Sequence, residues 1–72
     1  MRLPIDSGFI NAYNDFKCIG FIRREKGKDV FFSIDDLNPD IDIDSIKLGL
    51  ELTFELIKTP KGPRAKNINL LK

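Results

Sequence analysis

The 72-residue chain is predicted to be all-β: a five-stranded antiparallel Greek-key barrel in a single domain over 1–72, with its core barrel from about residue 8 to 71. Three observations predict it. Leu50, Leu52, Phe54 and Leu56 alternate with Glu51, Thr53 and Glu55, the period of two that puts successive side chains on opposite faces of a strand. Four further short segments are bounded by turn residues, and no stretch carries a real helical period. One long connection, between the third and fourth segments, is the layout of a small barrel of the OB type. A chain this short buries only about 60% of the surface it exposes when unfolded, and a closed barrel suits that limit.

Residues 8–14 form the first strand, ended by the turn signal Asn14-Asp15. The second strand, 18–24, runs into Glu25-Lys26-Gly27-Lys28, where Gly27 supplies the positive φ a tight hairpin needs. Strand three is 29–34. Short connections make these an antiparallel meander, because parallel neighbours need a long crossover. Residues 35–45, with Asn38-Pro39-Asp40 and several acids, read as a surface loop. Asp44-Ser45 is expected to cap one helical turn through Ile46-Lys47-Leu48, which Gly49 ends. After the alternating strand 50–57, Thr59-Pro60-Lys61-Gly62-Pro63 turns the chain. Residues 64–71 then close the sheet, with Ala65, Asn67 and Asn69 on one face and Lys66, Ile68 and Leu70 on the other.

Composition narrows the function. No apolar run approaches the roughly 18 residues of a membrane span. The start, Met1 to Asp6, has neither a long apolar stretch nor a small-residue cleavage site, so a soluble, cytoplasmic protein without membrane contact is expected. Cys18 is the only cysteine and histidine is absent, which excludes an internal disulfide, a zinc site and a Cys-His nucleophile. There is no Gly-rich phosphate loop before a helix and no nucleophile beside a base, so neither catalysis nor a cofactor is expected. Asp40, Asp42, Asp44 and Glu51 share the spacing of calcium ligands in an EF-hand loop. Ser45 stands where that loop needs glycine, however, and the flanks read as strands, so no metal is expected.

The net charge of +1 conceals segregation. Lys17, Arg23, Arg24, Lys26 and Lys28 cluster against Glu25 alone, and Lys58, Lys61, Arg64, Lys66 and Lys72 form a second basic run. Asp35, Asp36, Asp40, Asp42 and Asp44 lie between them. Such a bipolar surface attracts phosphates at two segments, repels them at the third, and so orients a polyanion.

Lys17-Cys18-Ile19-Gly20-Phe21-Ile22, then Val30-Phe31-Phe32-Ser33-Ile34, then Lys61-Gly62-Pro63-Arg64-Ala65 resemble the cold-shock domain, and the resemblance spans Gly8 to Asn67. It implies two adjacent antiparallel strands whose outward aromatic rings stack on unpaired bases. With Ile22, Val30 and Phe32 facing inward, the pleat turns Ile19, Phe21, Phe31 and Ser33 outward. Tyr13 matches the second aromatic of the family's first strand. Lys17, Lys61 and Arg64 are the phosphate-holding candidates, with Arg23 and Arg24 in support. The family's usual tryptophan is replaced by Ala12 and the lysine before it by Asn11. An aromatic of the second strand is Ile19, a histidine and phenylalanine of the third are Ser33 and Ile34, and Cys18, a half-buried thiol, stands at a usual glycine. Losing three or four platforms worth about 1–3 kcal/mol each, with incomplete additivity, removes about 3–6 kcal/mol of binding. Phe16, in the first turn, is expected to tuck beside the barrel.

The expected function is weak, sequence-tolerant binding of single-stranded RNA or DNA, with the role of RNA chaperone or expression regulator implied by the resemblance. The competing expectation is a protein-interaction or homodimer module using Ile19, Phe21, Phe31 and Ile34. A third is the amino-terminal domain of a longer parent.

Overall fold

The computed structural model describes residues 5–71; Met1 to Pro4, and Lys72 of the second basic run, lie outside the described residues. Five strands, β1 (Ile5–Asn14), β2 (Ile19–Arg24), β3 (Val30–Ser33), β4 (Glu51–Thr59) and β5 (Gly62–Leu70), close into a barrel in the order β1-β2-β3-β5-β4. This is the all-β, five-stranded OB-type barrel expected from the sequence. Antiparallel ladders join β1 to β2, β2 to β3, β1 to β4 and β4 to β5. The last seam, β3 to β5, is parallel and consists of the single pair Phe31–Arg64. A ring with an odd number of strands cannot alternate direction at every seam, so one parallel contact is a geometric necessity.

Ile10, Ile22, Val30, Phe32, Ile46, Leu52, Phe54, Ala65 and Ile68 form the core, with Tyr13, Leu37, Ile41, Leu50 and Leu56 packed partly against it. The alternation of β4 and the inward placement of Ile22, Val30 and Phe32 hold as expected. Gly20 faces inward between Tyr13 and Phe32, its register partners on either side. Its missing side chain leaves their rings free to stack, at 6.3 Å between centroids and 7° between planes.

Four expectations need correction. Alternation on β5 fails, because Ala65 and Ile68 are both buried. Asn67 adopts φ 50°, and the register slips between Thr53 and Glu55, so that Asn67 and Ile68 together oppose Phe54 in a β-bulge. The helical turn comes earlier, over Ile43–Ser45, because Asp42 rather than Asp44 is the cap, accepting the Asp44 N–H at 3.0 Å. β3 stops at Ser33, and Ile34 opens a 3₁₀ turn (Ile34–Asp36). Phe16 does not tuck against the barrel but is 92% exposed.

The long connection is strapped to β5. Leu37 bridges Ile68, the Asn38 N–H donates to the Ile68 carbonyl at 2.8 Å, and the Asn38 amide donates to Asn69 Oδ1 at 2.6 Å. Among the described residues its carboxylates gather into no metal-binding cluster, and no helix is long and apolar enough to cross a membrane.

Candidate nucleic-acid interface

Register places the outward side chains of β1, β2, β3 and β5 in rows across the ladders. The central row is Ala12, Phe21, Phe31 and Arg64, each paired with the next across β1–β2, β2–β3 and the parallel seam. Neighbours in such a row have Cβ atoms about 4.5–5.5 Å apart, so long side chains touch. Phe21 and Phe31 meet edge to face, at 5.9 Å between centroids and 70° between planes. Phe21 is 41% exposed. The guanidinium carbon of Arg64 lies 5.3 Å from the Phe31 centroid, inside cation–π range.

Arg64 does not float there. Its Nε and Nη2 donate to Asp36 Oδ2 at 3.2 and 3.1 Å, and the same oxygen accepts the Ser33 N–H at 3.0 Å. The Asp36 side chain is only 6% exposed. Read from sequence, Asp36 was one acid of a solvent loop. The signal for its role was the spacing in Ser33-Ile34-Asp35-Asp36, a capping box in which Ser33 Oγ accepts the Asp35 N–H at 3.3 Å. The Ser33 hydroxyl is therefore engaged as a cap, while its residue sits opposite Ile19 in a second row that Asn14 completes.

Tyr13, Lys17, Ile19 and Phe21 surround one depression of about 260 Å³, floored in part by Ala12 and Gly20. Four of the candidate residues thus converge. Tyr13 is shared between the core, through Phe32, and this depression. Burial, and then electrostatic repulsion from Cys18 and Asp15, raise its phenol above the usual value, so near neutral pH it remains a hydrogen-bond donor. Lys17 is exposed in the turn, where its N–H donates to Asn14 Oδ1 at 3.0 Å. Lys61 is exposed in the β4–β5 turn, just before the strand that carries Arg64. Its ammonium makes no ion pair among the described residues.

The basic run 17–28 is less available than its count suggests. Arg24 is locked, with Nη1 3.4 Å from Asp6 Oδ2, Nε donating to the Lys28 carbonyl at 3.0 Å, and a side chain only 13% exposed. Arg23 stays outward, with Nε 3.2 Å from Asp29 Oδ1. That bond, with the Asn11 amide and the charges of Arg23 and Arg24, holds the Asp29 carboxyl below its ordinary range.

A family model described as 'Cold-shock' DNA-binding domain matches residues 6–71. The chain belongs to the cold-shock domain family. It is 47% identical over 64 residues to the Retron Se72 cold shock-like protein of Salmonella heidelberg, covering 85% of this chain and 91% of that protein. It is 36% identical over 62 residues to the cold shock-like protein CspE of Bacillus anthracis, covering 86% and 91%. With cold shock protein CspD of Bacillus subtilis it shares 33% over 64 residues, 89% and 96% of the two chains. Nucleic-acid binding, in general terms, comes with membership. Within this cold-shock domain the central row has no ring at its β1 end, where Ala12 stands, and carries a guanidinium at its β5 end.

Proposed function

We propose that this cold-shock domain binds single-stranded RNA or DNA through its central row, with little sequence preference and modest affinity. The observation that carries this reading is the placement of Phe21, Phe31 and Arg64 side by side on three adjacent strands. Bases stack on the two rings, and the Arg64 guanidinium extends the flat surface beyond Phe31, since arginine stacks as well as pairs. Lys17, in the β1–β2 turn, and Lys61, in the β4–β5 turn, hold phosphates, and Tyr13, Ile19 and Ser33 line the flank. Sequence tolerance follows because every base has a π-face, and modest affinity because Ala12, Ile19 and Ser33 provide no ring. Binding only unpaired strands shifts RNA hairpins toward the open form by mass action, which is the chaperone role.

The protein-docking alternative uses Ile19, Phe21, Phe31 and Ile34, of which Phe21 and Phe31 belong to this same row and Ile34 opens the 3₁₀ turn after β3. Titration of a fluorescent oligothymidine at two salt concentrations tests the proposal. Saturable binding is expected to weaken with salt and to fall by about tenfold or more in Phe31→Ala, as loss of one stacked base requires. Flat titrations with a light-scattering mass that rises with concentration would contradict it and favour self-association.

A further inference from the structure

Sequence reading passed over Phe9, which the barrel leaves outward and 40% exposed. On β1 it pairs with Arg23 across β2 and with Glu51 across β4. Arg23 lies two residues along β2 from Phe21 and therefore on the same face. A diagonal step on a ladder spans about 7–8 Å, so Phe9 begins a third row one step from Phe21. The register slip between Ile10 and Ala12 makes Asn11 the extra residue of a bulge, a device that re-aims a strand between two such rows.

Phe9 lines a depression of about 450 Å³, larger than the one beside Phe21; its wall includes the cations Arg23 and Arg24, the carboxylates Glu25 and Glu51, and Gly49. Gly49, at φ 88°, has no atom within 4 Å of where a Cβ would stand, so this wall is open. The Arg23 side chain is 55% exposed, and only its Nε is engaged, by Asp29; its two Nη groups carry no hydrogen bond among the described residues. An exposed aromatic face beside a guanidinium with unused donors matches the chemistry of a nucleotide, a flat ring joined to an anion.

We propose that Phe9 and Arg23 form a further nucleotide subsite, with a base on the Phe9 ring and its phosphate on the Arg23 Nη groups, continuing the strand that crosses the central row. This rests on the nucleic-acid reading above. Two oligothymidines test it, one of about four nucleotides that fills the central row and one of about eight that reaches the third, within the span of a single OB barrel. Phe9→Ala is expected to weaken the longer oligonucleotide about tenfold and leave the shorter unchanged, whereas Phe31→Ala weakens both. The chain contains no tryptophan, so Phe9→Trp adds its only indole, excited apart from Tyr13 and expected to be quenched by the longer oligonucleotide only. Equal effects of Phe9→Ala on both lengths, or none on either, would overturn the subsite while a surviving Phe31 dependence keeps the central row. Loss of self-association in Phe9→Ala without loss of oligonucleotide binding would also overturn it. A wild-type domain that binds neither length would remove both proposals.

Discussion

At position 12 the side chain ends at Cβ, directly across the ladder from Phe21, with solvent where the family usually has an indole. Restoring it adds a platform to a row already built. Ala12→Trp is expected to tighten oligothymidine binding by about 1–2 kcal/mol, the range of one stacked base, with stability little changed because the site is exposed; a fluorescence titration checks it, and unchanged affinity would mean the row is not the path of the strand. Gly20 makes the opposite kind of demand. A Cβ there would lie 2.5 Å from the Ala12 carbonyl oxygen and 2.7 Å from Phe32 Cε1. Gly20→Ala is expected to cost about 1–3 kcal/mol or more in urea unfolding, since a backbone atom cannot move aside as a side chain does. An unshifted midpoint would contradict the packing of Tyr13 on Phe32.

Among the elements, the parallel seam is the thinnest, one registered pair where the antiparallel ladders have four or more. Its fasteners are the Arg64 contact on Phe31 and the Asp36 carboxylate joining Arg64 to the end of β3. Asp36→Ala leaves the Ser33 N–H and two guanidinium donors without that acceptor. It is expected to destabilise by about 1–3 kcal/mol, discounted because Arg64 remains partly in water, and also to weaken oligonucleotide binding. Asp35→Ala, one residue away and exposed, serves as the control. Equal unfolding midpoints for the two variants would contradict the seam's role.

What the sequence revealed, and what it hid, follows the same division. The β2–β3 hairpin was legible because its register depends on a short turn and on one buried face, so the outward pair Phe21 and Phe31 could be named from alternation alone. Leu52 and Phe54 were legible for the same reason. The Asn67 bulge was not, because a left-handed residue inside a strand leaves no mark on hydrophobic period. Asp36 was legible as a cap in Ser33-Ile34-Asp35-Asp36 but not as the partner of Arg64, which reaches it only when β5 closes the ring beside β3. A charge count does not show that Arg23 pairs with Asp29 across the β2–β3 turn and Arg24 with Asp6 on β1.

At the scale of the molecule, a Cα radius of gyration of 11.1 Å matches the roughly 11 Å of one compact domain of this length. Recognition therefore falls to a surface only a few side chains across. With a net charge of +1 no strong positive field surrounds the whole barrel, so the proposed reading makes phosphate attraction local to Lys17 and Lys61. The acidic connection is tied to β5 at Ile68 and Asn69, and in the proposed reading it repels a polyanion on that side.

The most direct measurement is an amide and side-chain chemical-shift map of the intact chain during titration with oligothymidine. Shifts are expected to concentrate at Ala12, Phe21, Phe31, Arg64 and Lys17, leaving Asp40 to Asp44 still. A map that is flat at Phe21 and Phe31, or centred on Leu48 and Leu70 instead, would contradict the central row as the binding surface.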